Sequence, residues 1–175
     1  MALTYDGTNG ITFNDGSQMG TANSLGMRNR IINGAMMIDQ RNAGANTTPN
    51  NAYTLDRWGV GNTQTGKFTV QQNAGSVTPP AGYTNYLGVT STSAYSLLST
   101  DFFEVYQYIE GYNIADLGFG TGNAKTVTLS FWVRSSLTGT FGGFLCNQAN
   151  TQIYPFTYTI SSANTWTFVS VTITK

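Results

Sequence analysis

Histidine is missing altogether from the 175 residues. Its absence removes the one side chain that titrates near neutrality, and with it the usual general base, the serine and cysteine triads, and most zinc and iron sites. Cys146 is the single cysteine, so no intrachain disulfide, redox pair or thiolate cluster can form. The expected place of its thiol is as a small buried hydrophobe. Charge is scarce too, at 9% of the chain against roughly 25% in average globular proteins. The 8 basic and 8 acidic residues cancel and stand singly, which leaves no electrostatic footprint for a phosphate backbone or an anionic membrane. Nucleic acid is therefore not an expected partner. No run approaches the roughly 18 consecutive apolar residues of a membrane span. The opening Met1-Ala2-Leu3-Thr4-Tyr5-Asp6 has neither the basic region nor the apolar core of an export signal. A soluble chain without membrane insertion or export is expected.

The place of charge is taken by Thr, Ser, Asn, Gly and Gln, which give a surface that hydrogen-bonds while staying neutral. Aromatic residues are plentiful, with 10 Tyr, 10 Phe and 3 Trp, so there is ample surface to bury and the chain should fold. Residues 1–28 read as an N-terminal arm, rich in turn residues and poor in apolar runs. Asp6-Gly7 and Asp15-Gly16 flank the β-prone Ile11-Thr12-Phe13, a pattern of short strands joined by tight turns that need positive φ. Such strands bury little alone and usually gain a core on copies of themselves or on a neighbouring protein.

Period-two alternation becomes clean from Lys125 onward. Val127, Leu129, Phe131 and Val133 fall on one face, with Thr128, Ser130, Trp132 and Arg134 on the other. Tyr154, Phe156, Tyr158 and Ile160 share a face, as do Val169, Val171 and Ile173. Further strands are expected at 35–40, 67–72, 86–91 and 103–110, separated by turn clusters such as Thr78-Pro79-Pro80-Ala81-Gly82. A single helical turn is expected at 113–117, with Asn113 as its N-cap. Many short strands at this spacing mean an all-β sandwich or barrel.

Two segments in order, Asn29-Arg30-Ile31-Ile32-Asn33-Gly34-Ala35-Met36-Met37-Ile38-Asp39-Gln40-Arg41 and Tyr53-Thr54-Leu55-Asp56-Arg57-Trp58, resemble a family of phage tail-fibre and virion structural proteins. The likeness continues through Gln107-Tyr108-Ile109-Glu110-Gly111 and Leu129-Ser130-Phe131-Trp132-Val133-Arg134-Ser135, so it covers 29–175. Upstream, Gly10-Ile11-Thr12-Phe13-Asn14-Asp15-Gly16-Ser17-Gln18 looks like a short element found in phage fibres ahead of the distal domain. The resemblance implies a jelly-roll-like β-sandwich over 29–175, similar to carbohydrate-binding modules, carried on the virion and assembled as a homotrimer. Members of that family run on through more strands to an aromatic, Arg-containing C-terminal segment, whereas this sequence stops at Thr172-Ile173-Thr174-Lys175, inside an expected strand. An apolar strand face at 165–174 with nothing after it leaves an open edge. The sandwich is accordingly expected to be incomplete at its C-terminus, and to be covered by an adjacent subunit, another viral protein or further residues.

Trp132 and Arg134 are the first candidates for glycan contact, because residues two apart on a polar strand face offer a stacking plane beside a guanidinium fork. An aromatic there also packs under a loop or against a neighbour, which is the plainer reading. Tyr106 and Tyr108 share a face and extend the candidate platform. Trp58 reads as an anchor of the first strands, with Asp56 and Arg57 bonding local backbone or each other. The rival of another class is a polysaccharide-cleaving fibre enzyme, which needs two carboxyl groups about 5 to 9.5 Å apart. Glu104 and Glu110 lie roughly 20 Å apart along an extended strand, and nothing marks a pair among Asp39, Asp56, Asp101 and Glu104. No catalytic residue, metal ligand or cofactor is expected. Asp6-Gly7-Thr8-Asn9 and Asn14-Asp15-Gly16 hold oxygens that calcium can use, but Asx turns explain them equally. The expected role is a virion structural protein at the tail or capsid surface, a tail-fibre component of host attachment that contacts other virion proteins through its arm and host surface glycan through its sandwich. A capsid decoration protein is the alternative.

Overall fold

The structure, a computed structural model, describes residues 29–174 and the backbone of three strands before them. The chain divides into two units, Met1–Ile32 and Asn33–Lys175. In the first, β1 (Thr4–Asp6), β2 (Gly10–Thr12) and β3 (Gln18–Met19) form an antiparallel sheet in that order. Thr4 faces Thr12 and Ile11 faces Met19 in its register. Apart from the backbone of Asp6, the turn clusters considered for calcium lie outside the described residues.

The second unit is predominantly β, and its sheets are all antiparallel among the described residues. Its strands are β4 (Ala52–Tyr53), β5 (Gly59–Asn62), β6 (Phe68–Gln72), β7 (Leu87–Ser91) and β8 (Phe103–Tyr106). After one helical turn, α1 (Gly111–Ile114), come β9 (Val127–Val133), β10 (Gly139–Cys146), β11 (Ile153–Ile160) and β12 (Thr167–Ile173). The sheets are β4-β5-β8, β6-β7, β9-β12 and β10-β11.

Alternation sets the C-terminal ribbons. In β9 the half-buried Val127, Leu129, Phe131 and Val133 alternate with exposed Thr128, Ser130 and Trp132. Its partner β12 buries Val169 and Ile173 and exposes Phe168, Ser170 and Thr172. Phe131 meets Tyr158 of β11 edge-on at 5.3 Å, and Phe141 of β10 stacks on the same ring at 5.8 Å. The apolar faces of the two ribbons thus share a layer, with Ile160 at 1% exposure. A second cluster joins Val60, Phe68 and Val70 to Leu87, and is tied to β12 through its approach: the Trp166 indole N–H donates to the Thr78 carbonyl at 2.8 Å and its ring meets Tyr86 at 5.6 Å. Among the described residues β12 pairs with β9 alone.

Several local expectations are corrected. Residues 35–40 form no strand, because Asn33 and Met36 take positive φ of 53° and 54° in a turn closed by the Met36 N–H on the Asn33 carbonyl. The strand expected at 103–110 ends at Tyr106, since its next cross-strand neighbour, Trp58, spends its N–H on the Leu55 carbonyl. The helical turn starts at Gly111, with Glu110 and not Asn113 at its N-cap. Asn113 instead lies inside the turn and donates to the Glu110 carboxylate at 3.2 Å. Cys146 is exposed, because it ends β10 on the outward side of the alternation, opposite Ile153. β5 and β10 were not among the expected strands: Gly-Val-Gly-Asn and a segment with three glycines carry little strand signal, yet both sit in ladders.

The buried layer predicts a contrast. Ile160→Ala should lower unfolding stability by about 2–4 kcal/mol in urea titration, from lost burial plus a cavity. Leu97→Ala, at a position 69% exposed, should change it by no more than about 0.5 kcal/mol.

Candidate functional site

Segments 29–41 and 53–58 are bonded to each other. The Asn33 side-chain amide donates to the Ile38 carbonyl at 2.8 Å and the Asp56 carbonyl at 2.9 Å, and its oxygen accepts the Ile38 N–H at 3.0 Å. The Trp58 indole N–H returns to the Asn33 carbonyl at 3.0 Å. Asp56 accepts the Gln40 N–H at 2.6 Å, while Asp39 accepts those of Asn42 and Gly44 at 3.2 and 2.7 Å. These aspartates act as local backbone acceptors that fold the 33–44 loop onto the turn before β5. Trp58, expected to anchor the first strands, is half-buried and bonds through its indole nitrogen to the loop at Asn33.

That lock sets two residues, Arg41 and Tyr53, beside Tyr106 of β8 and Tyr108 just after it. Tyr53 and Tyr106 both pair with Gly59, the first from β4 and the second from β8. A methyl group on Gly59 would lie 2.5 Å from the Tyr106 ring, so the absent side chain is what lets that ring lie over the central strand. The Tyr106 ring meets Tyr53 at 6.3 Å and Tyr108 at 5.0 Å. Tyr53 is 43% exposed and Tyr108 61%. The Arg41 guanidinium stands 5.6 Å over the Tyr53 ring. Arg57 clasps the Glu110 carboxylate and donates to the Tyr108 carbonyl at 3.3 Å, which holds the segment after β8 against the sheet. Burial, aided by Tyr108, Tyr53 and Glu104, pushes the Tyr106 phenol above its ordinary value, so it remains a neutral donor. Among the described residues the three hydroxyls and the Arg41 guanidinium make no hydrogen bond or ion pair. The patch is thus an aromatic surface whose four polar heads have no hydrogen-bond or ion-pair partner among the described residues, two of its rings, Tyr53 and Tyr108, being exposed.

Of the four residues singled out from sequence, the structure brings Tyr106 and Tyr108 together and leaves Trp132 elsewhere. Trp132 lies opposite Phe168 on the outward face of β9-β12, the rings 5.3 Å apart. Trp132 is 38% exposed and part of its surface is spent on Phe168. Arg134 follows β9, and its Nε–H donates to the Asn164 carbonyl at 2.9 Å, which commits part of its fork to closing the loop before β12. Tyr53 and Arg41 were missed. The only signal for them was an aromatic and a cation in segments near Gly59, and proximity came from the β4-β5-β8 pairing.

An open groove of about 640 Å³ lies along β7 and β8, walled by Val89, Phe103, Val105 and Leu137, with Lys67 and Glu104 on it. Lys67 sits 5.1 Å over the Tyr95 ring. Near it, Asp101 accepts the Leu98 N–H, the Thr63 and Tyr95 hydroxyls and the Gln64 amide at 2.9, 2.7, 2.8 and 3.3 Å. Those donors, Leu98 and Thr63 foremost, hold its carboxyl down at about 2. Glu110 is likewise lowered, chiefly by its bond from Arg57. A general acid for glycoside cleavage needs a raised carboxyl, and these two are shifted the opposite way. No protein-family model matches this chain, nor does any curated protein or solved structure.

Two outcomes follow from these contacts. Gly59→Ala should cost about 1 kcal/mol by displacing the Tyr106 ring, and in the Gly59→Ala/Tyr106→Ala double variant the two losses should add to less than their sum in urea titration. Because the folded-state value of Asp101 lies below its ordinary 3.8, the stability it contributes is present above pH 3.8 and lost as pH falls toward 2. Melting curves of the parent and Asp101→Asn should therefore differ at neutral pH and converge in acid.

Proposed function

We propose that the chain is a structural protein of a bacteriophage virion, a tail-fibre component of host attachment that touches host surface glycan without cleaving it. On this reading residues 29–175 are a jelly-roll-like β-sandwich, residues 1–28 an arm that joins other virion proteins, and the assembly a homotrimer. The observation that carries the attachment role is the Tyr53-Tyr106-Tyr108 patch, an exposed aromatic surface with unspent hydroxyls on a chain that is 9% charged. Aromatic faces stack on the C–H faces of sugar rings, while phenolic and guanidinium donors meet their hydroxyls. The virion placement is supported by the two fibre-like segments. Their polar residues are spent on holding each other, so on this reading their part is architectural. The aspartates bonded to backbone N–H groups support a binding role in place of catalysis.

Antibody against the purified chain, applied to particles of the phage that encodes it, should label the tail fibres in electron microscopy. Label spread over the head would replace this reading with capsid decoration, and unlabelled particles would remove the virion role. Purified chain should release no reducing ends from host polysaccharide, and release that vanishes on replacement of an Asp or Glu would show an enzyme.

A further inference from the structure

The tyrosine patch contains one feature that a surface for neutral sugars does not require. Arg41 lies over the exposed Tyr53, which meets the half-buried Tyr106 and through it the exposed Tyr108, and its charge is unpaired among the described residues, while the other guanidinium nearby, Arg57, is neutralised by Glu110. Unpaired Arg forks recognise planar oxyanions, since two parallel N–H groups match a carboxylate. The patch is asymmetric in charge. Arg41 stands at the Tyr53 side, and Glu104, two residues before Tyr106 in β8, pairs across to Gly61 in the next row of the sheet. An anionic group is thus favoured at the Tyr53 end and repelled at the Glu104 end, which orients a ligand along the row Tyr53-Gly59-Tyr106. Tyr108, the most exposed of the three rings, supplies the stacking face. Its backbone carbonyl accepts from Arg57, which holds the main chain there and leaves the phenol hydroxyl unspent.

We infer that this patch binds a carboxylate-bearing sugar of an acidic polysaccharide, with Arg41 receiving the carboxylate and Tyr108 stacking on the ring. The inference rests on the attachment reading and narrows it to one ligand class.

The test is binding of the full-length chain to immobilised polygalacturonate, hyaluronan and polysialic acid, each beside its methyl-esterified form, in which only the carboxylate charge is removed. At least one acidic polymer should bind and its ester should not. Arg41→Ala should weaken that binding roughly ten- to a hundredfold, with Arg41→Lys intermediate because a point charge replaces a fork. Tyr108→Ala should weaken it by a similar factor, and unchanged melting curves for all three variants would show that the fold is intact. Equal binding of acid and ester, indifference to Arg41→Ala, or no binding to any of the three polymers would overturn the inference. Particle labelling is independent of these outcomes, so failure here leaves virion placement standing, and failure there leaves the sugar contact standing.

Discussion

The side-chain amide of Asn33 is the bond on which much of the second unit's arrangement depends. It donates to the carbonyls of Ile38 and Asp56, and the backbone carbonyl of Asn33 receives the Trp58 indole N–H. A backbone held in positive φ at Asn33 and Met36 cannot join a ladder, so side chains must satisfy its polar groups instead. Asp39 and Asp56 complete that accounting. The consequence is a loop fixed by short polar bonds, which holds Arg41 over Tyr53 at the edge of the β4-β5-β8 sheet.

Glycine in the ladders is the second constraint. A central strand of Gly-Val-Gly-Asn loses side-chain packing of its own, but the space is taken by rings and carboxylate from its neighbours. Tyr106 lies over Gly59 and Glu104 over Gly61, and in the other half of the unit Phe156 lies over Gly143. The aromatic surplus of the sequence is therefore partly a filler for bare strands. This explains how rings can be ordered on a surface without being buried in a core: they rest on backbone.

The scarcity of charge shapes what such a surface can do. With most polar groups neutral, water is displaced from phenols and amides at lower cost than from ions, and a lone guanidinium keeps its influence over short range. Carboxylates in the second unit are spent on backbone N–H groups, hydroxyls or cations at Asp39, Asp56, Asp101 and Glu110. Their use as acceptors gives local order to loops that have few apolar contacts.

Composition and alternation alone determined a good deal. Without histidine, and with one cysteine, whole classes of chemistry were closed before any fold was considered. The faces of β9, β11 and β12 were legible because a half-buried strand must alternate, and period two is read directly from residue order. Turns with positive φ, strands made of glycine and the exposed position of Cys146 were decided by tertiary structure, since each depends on what lies across the ladder and not on its neighbours in sequence. The same is true of the site. Tyr106 and Tyr108 are adjacent enough to be paired on paper, but Arg41 and Tyr53 reach them only because β5 pairs with β4 on one side and β8 on the other. Trp132 and Arg134, equally promising by spacing, were drawn instead to Phe168 and the Asn164 carbonyl. Spacing fixes which face a side chain takes; the partner waiting on that face is set by strand order, which local sequence does not encode.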